Sequence, residues 1–236
     1  MLNNNPFDKD LLQAINDWQI DYNRKRAAAL KEKAKGLPLK YKTCTHACYR
    51  KIELNKKGVF SLVGKAKLKE KISSWSSSEE VVKVFKRGVT LKNDEQSFIV
   101  SYKPTASEVI INLEVVYQCP LFHSALKQHQ SSIKNYNRGI GAYGAGQKEI
   151  VLEVEFITRD NIYMMGGRSS DINMIFANQV IGWLPDGSTI AVYDDCKSFC
   201  IFKWIDPAQT VSALDRTLQL SGQIIPYNVF SKGYGL

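Results

Sequence analysis

No apolar run in this chain approaches the ~20 residues that a membrane-spanning helix needs. The opening M-L-N-N-N-P-F-D-K-D also lacks the basic and apolar regions of a signal peptide. The expectation is a cytoplasmic protein that works where it is made. Cysteine is scarce and odd in number (Cys44, Cys48, Cys119, Cys196, Cys200), which argues against a disulfide framework. Two C-x-x-x-C pairs exist, with His46 inside the first. Zinc sites usually separate each cysteine pair by two residues, so reduced structural thiols are expected, and no metal. Internal repeats and low-complexity linkers are missing too. A chain of 236 residues with an apolar share of 44% therefore reads as one α+β domain spanning 1–236 with a core of its own.

Acidic residues are rare in one stretch. Between Arg24 and Lys71 stand 16 Lys and Arg against Glu32, Glu53 and Glu70, a local charge of +13 in a chain whose total is +9. The rest of the molecule is net acidic. Such a lopsided field attracts polyanions at long range, or serves as a solvated face that aids solubility.

What the chain does have is concentrated in residues 139–155, G-I-G-A-Y-G-A-G-Q-K-E-I-V-L-E-V-E. Gly139, Gly141, Gly144 and Gly146 surround Tyr143 and run into a strand-like segment, which predicts a loop able to approach a ligand closely. The following strand holds Glu149 on rigid structure, with Gln147 expected on the same face two residues earlier. Gly139 to Gly144 also fits G-x-G-x-x-G. That dinucleotide fingerprint needs a strand before it and a helix after it; here a polar, basic segment precedes and a strand follows.

In chain order, residues 7–35 predict one amphipathic helix. Phe7, Leu11, Ile15, Trp18 and Tyr22 fall on one stripe, read as core packing. Residues 37–54 are rich in strand formers, and alternation puts Cys44, His46, Cys48 and Arg50 on one side. A strand arginine that is buried needs an anionic partner, either a phosphate, which its planar fork suits, or one of the glutamates. In I-S-S-W-S-S-S-E-E-V-V-K-V-F (72–85), Ser76 or Ser77 with Glu79 or Glu80 predicts a capping box. Strands are expected at 97–103, 108–117, 161–165, 180–183, 189–193 and 199–205, with 121–138 as a polar connector and 224–236 as an edge strand or tail.

The distinctive residues come in a fixed order: a strand arginine, a serine-rich strand-to-helix junction, then a glycine and aromatic loop ending in Gln-x-Glu. Tyr49-Arg50, Ser74 to Phe85 and Tyr143 to Leu152 together resemble the mono-ADP-ribosyltransferases of the Arg–Ser–Glu class, Gln-x-Glu subtype, a group that contains many bacterial and phage toxins. The resemblance covers roughly residues 40–155. It departs from the family at Lys51, where glycine is common, and at Trp75, where threonine is commoner. Glu153 and Glu155 form a second E-x-E.

That resemblance implies a pair of packed, mostly antiparallel sheets with flanking helices. It implies NAD as substrate, with Arg50 on a phosphate, Ser74 bracing the nicotinamide ribose pocket and Ser76 as the second serine of the motif. Glu149 would be the catalytic carboxylate on the ribose 2′-hydroxyl; Gln147 and Tyr143 would face the acceptor. Gln147 points away from arginine acceptors, toward asparagine or glutamine side chains or a nucleic-acid base. The basic block favours nucleic acid. The class also implies a role in phage–host conflict and a neutralising antitoxin or immunity partner. Two rival readings are an NAD glycohydrolase and a non-enzymatic basic module that binds RNA or DNA through Lys65, Lys67, Lys69, Phe60 and Trp75.

Overall fold

The computed structural model describes residues 5–55, 65–90, 95–167, 177–183, 185–193 and 199–220. Helices α1 (Lys9–Ile20) and α2 (Arg24–Lys33) lead into strands β1 (Cys48–Asn55), β2 (Lys65–Lys67) and β3 (Ile72–Ser76). Helix α3 (Glu79–Val84), strands β4 (Glu95–Tyr102) and β5 (Val109–Asn112), and helices α4 (Leu113–Tyr117), α5 (Pro120–His129) and α6 (Ile140–Tyr143) follow. The chain continues through β6 (Glu149–Glu153), β7 (Phe156–Thr158), β8 (Ile162–Gly167), β9 (Ala177–Trp183), β10 (Thr189–Tyr193), β11 (Phe199–Phe202), β12 (Trp204–Ile205) and α7 (Pro207–Leu220). Helices and antiparallel strands together make an α+β protein, as the sequence predicts. Among the described residues no helix is long and apolar enough to cross a membrane. The chain divides into two compact units, the first comprising Met1–Lys51, Lys67–Phe85 and Val100–Ile157.

In the first unit the strands run β1-β3-β6-β5, all neighbours antiparallel. The central strand β6 is apolar throughout Ile150-Val151-Leu152, each of them 0% exposed, because it is covered on both faces. Against this sheet packs a core of Phe7, Leu12, Ile15, Tyr41, Leu113 and Phe122. Phe7 sits edge-on to Tyr41 and Phe122 at 5.0 and 5.3 Å. Each such side chain contributes about 1.5–3 kcal/mol by leaving water.

The expected single helix over 7–35 is two. Asp8 caps α1 by accepting from the Leu11 amide at 2.8 Å. The chain then turns extended at Asp21, and Asn23 caps α2 by accepting from the Arg26 amide at 2.9 Å. Asp and Asn compete for backbone donors more strongly than they favour helix interiors, so the apolar stripe continues across a break. The predicted strand over 108–117 is likewise interrupted. Asn112 accepts from the Val115 amide at 3.2 Å and starts α4. The capping box at 76–80 is not formed; Ser78 is the N-cap of α3 and makes no side-chain capping bond.

The second unit comprises Ile52–Ala66, Lys86–Ile99 and Thr158–Leu236. It carries β12 beside β8 and β8 beside β4, and the meander β9-β10-β11. Helix α7 docks on β8, where the Thr210 hydroxyl accepts from the Met165 amide at 3.1 Å and Arg159 pairs with Asp215. The strands expected near 161–165, 180–183, 189–193 and 199–205 are present. Phe60, Cys196 and the stretch 224–236 lie outside the described residues.

Candidate active site

Glu149 opens β6 and is 7% exposed although it carries a carboxylate. Its register partner on β3 is Ser76, and Val151 lies opposite Ser74. Ser74 reaches diagonally and donates its hydroxyl to Glu149 Oε1. Two further donors come from α1: the Trp18 indole Nε1 at 2.8 Å from Oε1, and the Gln19 amide Nε2 at 3.4 Å from Oε2. A buried carboxylate needs donors on both oxygens, and here they arrive from an element over a hundred residues away in sequence.

The turn before Glu149 is shaped by two backbone positions. Gly144 has φ 53 and ψ −158, a region open essentially to glycine alone. Lys148 has φ 47. The expected glycine loop is thus a short helix, α6, followed by a 3-10 turn over Gly144–Gln147. Gln147 lies in that turn rather than on the strand, so alternation does not put it on the face of Glu149. Ser76 holds the turn in place: its hydroxyl donates to the Gln147 carbonyl at 2.8 Å and accepts from the Ser78 amide at 3.1 Å. Tyr143, at the other end of the turn, is 40% exposed.

Arg50 stands on β1, next to Tyr49, which pairs across to Ser76. The structure brings Arg50, Ser74 and Glu149 onto three neighbouring strands; Ser74 and Glu149 touch, whereas Arg50 is gripped by Glu70. The glutamate alternative therefore holds for one guanidinium nitrogen. Nη1 is buried without a hydrogen-bond partner. Burial pulls the Arg50 pKa down, and the charge and hydrogen bond of Glu70 oppose that pull. Tyr22 packs edge-on to Trp18 at 5.7 Å between ring centres.

The second E-x-E has other work. Glu153 bridges Lys31 at 2.6 Å and Lys71 at 3.3 Å, and Glu155 bridges Lys67 at 3.2 Å. The Lys31 hydrogen bond, against the opposing effect of burial, holds the Glu153 carboxyl below its ordinary range. A depressed folded-state pKa adds stability that is present above the unfolded value and lost as pH falls through the folded one. Glu153→Gln is therefore expected to cost at most about 1 kcal/mol near neutral pH. That deficit shrinks in acid, as urea unfolding at two pH values would read. The hydrogen bonds on Glu149 should be unaffected, since Glu153 makes none of them.

The sequence singles out other residues that take structural parts. Cys44 and His46 precede β1 instead of sharing its face. Cys44 Sγ lies 3.4 Å from Cys48 Sγ, and Tyr41 meets Cys119 Sγ at 3.0 Å. Among the described residues no group of three His, Cys, Asp or Glu is placed to hold a metal. Trp75 is 2% exposed, so it offers no platform for a nucleic-acid base.

Sequence reasoning missed Trp18, Gln19 and Tyr117 as members of this site. Tyr117, from α4, donates its hydroxyl to Gln19 Oε1 at 2.8 Å. One signal was available for Trp18, since a buried indole N–H on an apolar stripe requires an acceptor. No protein-family model, curated protein or solved structure matches this chain.

Proposed function

We propose that the chain is an NAD-dependent mono-ADP-ribosyltransferase of the Arg–Ser–Glu class that acts in the cytoplasm on a non-arginine acceptor. The observation that carries this reading is the Ser74 hydroxyl on a buried carboxylate at the mouth of β6, directly after a glycine turn. A dinucleotide suits the residues present: Arg50 keeps one buried guanidinium nitrogen unpaired, and a phosphate oxygen is the acceptor that would satisfy it. NAD supplies the ADP-ribosyl group and nicotinamide as leaving group. Glu149, shielded from water, stabilises positive charge as the glycosidic bond breaks, and its fixed donors mean that it need not reorganise. Arg50 holds the phosphates still, and Ser74 keeps the carboxylate aimed. Ser76 acts one step back, by fastening the turn that carries Gln147.

Tyr143 ends α6 and Gln147 ends the turn leading to Glu149, where an acceptor would approach. Gln147 donates as well as accepts and so suits an amide or a nucleic-acid base better than a guanidinium. The +13 charge between Arg24 and Lys71 favours the nucleic acid. Incubation with labelled NAD and a whole-cell lysate, followed by separate protease and nuclease digestion, tests this. Nuclease should release the label. Release by protease moves the acceptor to protein, free ADP-ribose alone makes the enzyme a glycohydrolase, and intact NAD refutes the reading.

A further inference from the structure

The three donors on Glu149 do not treat its two oxygens alike. Oε1 receives two donors, the Ser74 hydroxyl and the Trp18 indole at 2.8 Å. Oε2 receives one long contact, from Gln19 at 3.4 Å. The orientation of the Gln19 amide follows from chemistry: a carboxylate only accepts, so the NH2 end must face Glu149. The carbonyl end then accepts from the Tyr117 hydroxyl at 2.8 Å. Burial pushes Tyr117 up to about 12, so it remains a donor throughout the physiological range. If Tyr117 turned to accept, Gln19 would flip and set its carbonyl oxygen against the carboxylate.

We propose, resting on the transferase reading, that Trp18 and Gln19 of α1 are positioning residues for the reaction, that Tyr117 acts through Gln19, and that Oε2 is the oxygen that meets the ribose hydroxyl. Oε1 is locked by a stiff, buried indole that cannot swing aside without losing its packing on Tyr22. Oε2 keeps a lone pair available because its partner is distant and only half-buried. The N-terminal helix is thereby part of the active site, and the spacing between Trp18 and Gln19 serves both oxygens with adjacent residues.

The test is a kinetic series on the full chain, with nicotinamide release from NAD read as separate kcat and KM values and each variant's thermal midpoint recorded. Trp18→Phe keeps a ring on Tyr22 and removes the N–H. Gln19→Ala removes the amide. Each should lower kcat by about 10- to 100-fold, the range for one hydrogen bond to a charged group, while KM for NAD stays within about twofold. Tyr117→Phe should cost less, and Gln19→Ala with Tyr117→Phe should be no slower than Gln19→Ala alone, since the hydroxyl's hydrogen bond reaches Glu149 through Gln19.

A purely structural Trp18 would lower the midpoint and leave kcat per folded molecule unchanged, which overturns the proposal, as do Gln19 and Tyr117 losses that multiply. Should Trp18→Phe not fold, the Gln19–Tyr117 cycle decides alone. A wild-type protein that releases no nicotinamide overturns the transferase reading itself, an outcome distinct from an active enzyme indifferent to these substitutions.

Discussion

Glutamine in place of Glu149 is expected to slow nicotinamide release by about 10³-fold while NAD continues to bind. The two side chains have the same shape, so the Ser74 and Trp18 donors still find an oxygen where Oε1 stood. What disappears is the negative charge that the transferase reading uses to stabilise a cation at the ribose. Binding is assigned to Arg50, which the substitution does not touch, on β1, separated from β6 by β3. Stability should change little, because the side chain keeps its shape and two of its three donors, and only the long Gln19 contact loses its acceptor. Calorimetric NAD titration beside the release assay and a thermal scan gives all three quantities. A variant that retains a tenth or more of the rate would remove Glu149 from the catalytic role.

How much of this was legible in the sequence depends on how far each partner lies along the chain. Local chemistry was readable: the apolar stripe of α1, the strand through Ile150-Val151-Leu152, the glycine turn ahead of Glu149. The end of α1 was misjudged because periodicity persists through Tyr22, while the decisive event, Asn23 turning its side chain onto the Arg26 amide, leaves hydrophobicity unchanged. The strand over 108–117 failed for the same reason at Asn112. Arg50 was readable as a residue in need of an anion, though not as one that divides its guanidinium between Glu70 and a buried nitrogen left unpaired. The Trp18 bond to Glu149 spans 131 residues. Nothing in a stripe pattern separates a tryptophan that fills space from one that also donates a hydrogen bond.

The largest stability loss is expected from Gly139→Ala, about 2–3 kcal/mol, because at this glycine the segment that opens α6 meets α1. A Cβ there would lie 2.4 Å from Asn16 Oδ1 and 2.5 Å from the Asn16 carbonyl oxygen. Neither atom can withdraw. Asn16 is 0% exposed, its Oδ1 accepts from the Ile140 amide at 3.0 Å, and its Nδ2 donates to the Lys134 carbonyl at 2.9 Å. The carbonyl oxygen belongs to the backbone of α1. Relief requires α1 and the segment carrying α6 to part, and Trp18 and Gln19 sit two and three residues past Asn16 on the same helix. Activity should therefore drop together with stability. Gly146→Ala supplies the control, since a Cβ there meets nothing within 4 Å; it should stay within about 0.5 kcal/mol of wild type. Gly144→Ala, free of clashes but at φ 53, should cost about 1–3 kcal/mol from backbone strain alone while leaving α1 docked. Urea unfolding of the three variants ranks them. Gly139→Ala as stable as Gly146→Ala would mean that α1 does not press on this segment, and the indole and amide donors would then lose the anchor that holds them against Glu149.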